Sequence, residues 1–193
     1  VVRRLAELGA NVETPNNIGA TPGFIAARVG QLEVVRLLAE LGANVNTPDD
    51  DGATPVAAQN GYTEVVRLLA ELGANVTTPM NDGDTPVFMA AQEGHAEVVR
   101  LLAELGANVE TPRNNGPTPV YIAAQQGHAE VVRLLAELGV SVETPKNNGP
   151  TPVYIAAQEG HAVVVRLRAE LGANVETPSN DGTTPVYIAA EEG

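Results

Sequence analysis

Between Ala129 and Leu138 the apolar residues fall at Val131, Val132, Leu134, Leu135 and Leu138, with Glu130, Arg133 and Glu137 set among them. Steps of one, three and four put the first group on one face of a helix and the charges on the other. The charges stand three and four residues apart, so they can pair along the surface for a few tenths of a kcal/mol each. A shorter, Ala-rich stretch precedes it, from Pro119 to about Gln126. Thr118 is a good N-cap, and Pro119 suits the first helical position because its missing N–H would be unbonded there anyway. Gly127 and Gly139 end the two helices by taking left-handed conformations. Asn114, Asn115 and Gly116 tolerate positive φ and predict a tight turn ahead of the pair. Val142 to Pro145 reads as an extended arm leading into the next turn. The pattern is therefore turn, short helix, turn, longer helix, arm.

That pattern repeats. Thr-Pro pairs begin at Thr21, Thr54, Thr85, Thr118, Thr151 and Thr184, giving intervals of 33, 31, 33, 33 and 33 residues. A fixed period of this size marks an array of one supersecondary unit whose copies bury their apolar faces on each other. The expected division is one domain over 1–193: a partial unit 1–15, units 16–48, 49–79, 80–112, 113–145 and 146–178, and a partial unit 179–193. The unit 49–79 is two residues short.

The string from Thr118, Thr-Pro-Val-Tyr-Ile-Ala-Ala-Gln-Gln-Gly-His-Ala-Glu-Val-Val-Arg-Leu-Leu-Ala-Glu-Leu-Gly, resembles the ankyrin repeat along the whole chain. The resemblance implies an all-α solenoid of stacked helix-turn-helix units with short β-hairpin or turn arms. It also implies a protein that binds other proteins, without catalysis and without a cofactor, and an intracellular, cytoplasmic setting.

Composition narrows the class of partner. The net charge is −13, from 24 acidic and 11 basic residues, and Lys146 is the single Lys. Such a surface repels phosphate backbones, so nucleic acid is not expected. A protein or peptide with basic segments is the natural guest, or neighbouring subunits of a larger assembly. No apolar run approaches the ~18 residues of a membrane span, so direct membrane insertion is not expected. Aromatics make up 3% of the chain, with no Trp and no Cys, which leaves Ala, Val and Leu to build the core and rules out thiolate metal sites.

The copies differ in four places. First, Phe24, Phe88, Tyr121, Tyr154 and Tyr187 occupy the site where the family carries His, which predicts a ladder of rings filling the space between units about 8–10 Å apart. Second, Pro55 to Gly61 lacks the pair seen as Tyr121-Ile122. Two missing residues turn a helix by about 200°, so a shortened or irregular first helix is expected around Ala57 and Ala58. Third, Arg168 stands where other copies have Leu69, Leu102 and Leu135, and is expected to snorkel to the surface. Fourth, both ends fall inside a unit, which favours a stretch of a longer array.

Candidate chemistry is sparse. His95, His128 and His161 recur once per unit, too far apart to share a metal with nitrogen bonds near 2 Å, and are read as structural. Asp49-Asp50-Asp51-Gly52 lacks EF-hand spacing and reads as a solvated acidic tip. Variation between otherwise similar copies concentrates at the turn and at the end of the first helix. By the resemblance, these line a concave groove. The candidate partner-binding residues are Asn17 and Ile18; Asp49, Asp50 and Asp51; Met80, Asp82 and Asp84; Arg113 and Asn115; Lys146; and, from the helix ends, Arg28, Gln92, Glu93, Gln126 and Glu159. Their charges run from acidic tips at 49–84 to basic ones at Arg113 and Lys146, a polarity suited to orienting a charged peptide. The alternative reading is a scaffolding segment of a larger protein or assembly.

Overall fold

A computed structural model describes residues 1–56, 60–114, 116–146 and 149–192. Short helices begin at the Thr-Pro pairs: α2 (Pro22–Arg28), α5 (Pro86–Gln92), α7 (Pro119–Gln125), α9 (Pro152–Gln158) and α11 (Pro185–Glu192). The second helices are α1 (Val2–Glu7), α3 (Leu32–Glu40), α4 (Thr63–Glu71), α6 (Ala96–Glu104), α8 (Ala129–Glu137) and α10 (Ala162–Glu170). Each short helix from α2 to α9 starts in the same way. Thr21, Thr85, Thr118 and Thr151 take extended backbone, and their hydroxyls accept the amide of the residue three on, as in Phe88 N–H to Thr85 Oγ1 at 3.1 Å. This hydroxyl cap, with Pro following, fixes the helix start.

The helices pack as two layers. α5, α7, α9 and α11 lie successively against each other, and α1, α3, α4, α6, α8 and α10 do the same behind them. Ala90, Ala91, Ala123, Ala124 and Ala156 are fully buried between the layers, so small side chains let the helices approach closely. The stripe of α8 is buried as expected at Val131, Val132, Leu134 and Leu135. Leu138 departs from it: it caps the helix and stays 42% exposed, because the chain turns at Gly139 (φ 88°) before the stripe can complete another turn. The surface pairs form in α4 and α6, with Glu64–Arg67 at 3.9 Å and Glu97–Arg100 at 4.0 Å.

The arm expected to be extended is not. Val142 and Glu143 form a turn, with the Glu143 amide donating to Ser141 Oγ at 3.3 Å. Asn108 does the same for Glu110 at 2.8 Å. A short polar side chain that bonds the backbone two residues on competes with extended structure.

Two departures in the sequence shape the core. Among the described residues of 53–62 none is helical. Ala57 and Ala58, where the irregular helix was expected, lie outside the described residues. Phe24 packs instead in a small cluster with Ala20 and Ala53, and Met80 leans against it. Phe88, Tyr121 and Tyr154 are buried as the ladder predicts, while Tyr187 is exposed.

Arg168 corrects a second expectation. It is 0% exposed, and its Nε, Nη1 and Nη2 have no hydrogen-bond partner. It sits in the buried stripe with Val164 and Leu167, at the depth of Leu102 and Leu135, from which the side chain cannot reach water. Burial pulls its guanidinium down to about 10, against the pull of the Glu143 carboxylate, and it stays charged at neutral pH.

Candidate binding surface

The turns before the short helices all close alike. Asp49 N–H donates to the Ala53 carbonyl at 2.9 Å and Gly52 N–H to the Asp49 carbonyl at 3.0 Å, and Met80 and Ser179 repeat the pair with Asp84 and Thr183. Side chains tighten the loop: Asp49 Oδ1 accepts the Asp51 amide at 3.1 Å and the Ala53 amide at 2.9 Å, as Asn16 does for Ile18 and Ala20. Successive tips are also joined, by Asp50 N–H to the Ile18 carbonyl and Asn81 N–H to the Asp51 carbonyl. Gly52 is needed for this join, since a Cβ there would stand 2.6 Å from Asn81 Oδ1, and its φ is 79°. No strand forms among the described residues, so the arms are hydrogen-bonded turns.

Between these tips and α2 lies an open cavity of about 170 Å³. Ile18, Phe24, Ala53, Pro55 and Met80 supply apolar wall, and Arg28, Asp49, Asp51 and Thr54 supply polar groups. The Arg28 guanidinium lies 5.8 Å from the centre of the Phe24 ring, a cation–π distance. Thr54 is 3% exposed and its hydroxyl has no hydrogen-bond partner, whereas the N-cap hydroxyls of Thr21, Thr85, Thr118 and Thr151 each accept an amide. Ile18, Arg28, Asp49, Asp51 and Met80 are therefore brought together, and Asn17 and Asp50 stand exposed beside them.

A different arrangement holds the next tip. Arg113 pairs with the Asp82 carboxylate and places its Nε 3.0 Å from Asp84 Oδ1, out of line for a hydrogen bond to it. Its guanidinium also lies 5.9 Å from the Phe88 ring centre, and Asn114 Nδ2 donates to the Asp82 carbonyl. The acidic tip at Asp82 and Asp84 and the basic tip at Arg113 thus meet, whereas Asp49, Asp50, Asp51 and Lys146 form no ion pair among the described residues. Asp84 is 5% exposed, so its carboxyl faces Arg113 and not solvent. Burial and the neighbouring Asp82 charge push it up to about 6, with Arg113 pulling the other way. For Asp82 burial also raises the pKa, but the Asp84 amide and Arg113 outweigh it and hold the group low. Lys146 is exposed on its own tip with no ion pair among the described residues, and Asn115 lies outside them.

Comparison with known proteins agrees with this architecture. A family model described as ankyrin repeats (3 copies) matches residues 1–80 and 56–146. The chain belongs to the ankyrin repeat family. The crystal structure of the human ASB11 ankyrin repeat domain is similar, with a TM-score of 0.87 at 28% identity over 97% of this chain and 85% of that one. Among curated proteins there is no match.

In ankyrin terms the remaining candidates sit at the ends of first helices. Glu93, Gln126 and Glu159 are exposed residues that cap α5, α7 and α9, and Gln92 is half-buried beside Glu93, 3.4 Å from its carboxylate. The histidines behind them are engaged between repeats. His128 Nε2 contacts the Gln92 carbonyl at 2.8 Å and His161 Nε2 the Gln125 carbonyl at 2.9 Å, while the other edge of each ring packs on a Gly of the preceding repeat. Sequence reasoning missed Phe24, Ala53, Thr54 and Pro55 as walls of the cavity. The signal was present in the 31-residue interval, which marks this unit as different from the others. No helix among the described residues is long and apolar enough to cross a membrane.

Proposed function

We propose that this ankyrin domain is a non-catalytic protein-binding module, and that its partner lies along a groove formed by the tips and the ends of the first helices. Members of the family generally bind proteins, and the stiff, tip-to-tip hydrogen bonding keeps the cost of ordering on binding small. The observation that carries the reading is the cavity between α2 and the tips. It lies among the tips, where the otherwise similar repeats differ from each other, and Ile18, Arg28, Asp49, Asp51 and Met80 all line it. An acidic surface with charged groups at its rim favours a partner with basic segments in a cytoplasmic setting.

The test compares two variants in quantitative affinity capture. One carries Asp50→Ala, Gln126→Ala and Lys146→Ala on the proposed groove; the other carries Arg100→Ala and Arg133→Ala on the second helices. All five side chains are half-buried or exposed, so both proteins should fold. Partners held by the wild type should be lost from the first variant and kept by the second. Equal recovery by both would remove the groove from consideration.

A further inference from the structure

Asp84 is the one acidic residue at its place in the repeat, where the other units carry Ala20, Ala53, Pro117, Pro150 and Thr183. Its Oδ1 is buried and accepts no hydrogen bond. Two charged groups of opposite sign stand against it. Asp82 lies on the same tip, its Oδ1 accepting the Asp84 amide at 3.2 Å. Arg113 reaches across from the next tip, pairing with Asp82 Oδ2 and placing its Nε 3.0 Å from Asp84 Oδ1. Two carboxylates thus share one guanidinium, and Asp82 takes its hydrogen bond. α5 carries no ionisable side chain. The preceding tip brings Asp49, Asp50 and Asp51 and α7 brings Tyr121, but Asp82 and Arg113 are the groups whose charges act on Asp84.

A buried carboxyl beside a second carboxylate favours its neutral form. Here burial and the Asp82 charge raise Asp84 to about 6, against the pull of Arg113. Once protonated, Asp84 becomes a donor, and Asp82 is the acceptor beside it. A carboxylate offers about four acceptor positions, so Asp82 can take this bond and keep those it already has. The repulsion between the two carboxylates then disappears.

We propose that Asp82, Asp84 and Arg113 form a proton-operated clasp between the tips of units 80–112 and 113–145. It is loose while both carboxyls are ionised and tight once Asp84 is protonated and donates to Asp82. The fold holds this proton more tightly than the unfolded chain, whose carboxyl keeps its ordinary value of 3.8. Stability therefore rises as the pH falls through 6, gains nothing more below 3.8, and lacks the contribution well above 6. The tip at Asp49 closes with the same backbone bonds but carries Ala53 in place of Asp84, so it has no clasp.

Carboxyl ¹³C shifts followed from pH 7.5 to pH 5 test this, and should show Asp84 titrating at about 6. Asp82→Asn should lower that midpoint and Arg113→Gln should raise it. The Met80 and Gly83 amides close this tip, and their protection against hydrogen exchange, corrected for intrinsic rates, should rise up to about tenfold on acidification. Protection of Asp49 and Gly52 should stay constant. The Asp84→Asn amide donates to Asp82 at every pH. In urea the unfolding constant of the wild type, relative to this variant, should fall about tenfold from pH 7 to pH 5. The wild-type titration and exchange decide the matter even where Asp84→Asn fails to fold. An Asp84 midpoint at its ordinary 3.8, equal changes in protection at the two tips, or parallel stabilities of wild type and Asp84→Asn each overturn the clasp.

Discussion

The neighbouring stretches 49–79 and 80–112 carry much the same grammar and end in different structures. In 80–112 the Thr85 hydroxyl caps α5, whose residues Pro86 to Ala91 are all buried, and α6 buries five more behind it. In 49–79 the second helix α4 forms as well, burying Val65, Val66, Leu68 and Leu69. Thr54, however, caps nothing, and a cavity takes the place beside Phe24. The second helix is insensitive to the loss because its buried stripe contacts α3 and α6 on either side. The first helix is sensitive because its register is fixed from one end, at the Thr-Pro start. Removing two residues there turns every later side chain by about 200°. Stability in such an array is held in the second-helix layer, and variation can be carried by the first.

The most direct way to break this contrast is to repair the short unit. Inserting Tyr-Ile between Val56 and Ala57 restores the string Pro-Val-Tyr-Ile-Ala-Ala-Gln found at Pro119. Burying one aromatic and one aliphatic side chain is worth about 5–9 kcal/mol on the scale of core truncations; less about 2–4 kcal/mol for ordering two residues, the insertion should raise stability by about 3–5 kcal/mol. Urea unfolding would show a higher midpoint and circular dichroism more helix. A midpoint that stays put would mean that the missing pair is not what separates the two stretches.

A smaller effect is expected where a single side chain breaks the pattern. Leu102 in α6 and Arg168 in α10 occupy the same place in the stripe and are equally buried, but the guanidinium has no partner. Replacing a buried, unpaired charge by the residue used in the other repeats should stabilise. Arg168→Leu is expected to add about 2–3 kcal/mol, read as a higher melting temperature at unchanged helix content. A loss of stability would show that the charge is satisfied in solution.

How much of this could be read from the chain differs between the layers. The period, the Thr-Pro starts, the left-handed Gly127 and Gly139 and the stripe of α8 follow from local chemistry, which the sequence states directly. Arg168 was misjudged because its fate depends on depth: the spacing shows which face a residue takes, but not the distance from that face to water. The pairing of Arg113 with Asp82 and Asp84 was missed for a related reason. The three belong to successive tips, and their meeting is set by how closely the repeats stack. The cavity combines both difficulties, since its walls come from three successive turns and one helix. Only the 31-residue interval pointed to it.

The uncapped Thr gives the finest comparison, because the same substitution can be made on both sides of it. Thr85→Ala removes a hydroxyl that accepts the Phe88 amide at 3.1 Å, and it leaves that amide buried without a partner. Loss of such a cap costs about 1 kcal/mol. Thr54→Ala removes a buried hydroxyl that bonds to nothing, so stability should stay within about 0.5 kcal/mol of the wild type or rise slightly. Denaturant midpoints for the two variants, measured at the same pH, should therefore separate by roughly 1 kcal/mol in the direction that spares Thr54. Equal losses would show that Thr54 caps an amide in solution after all.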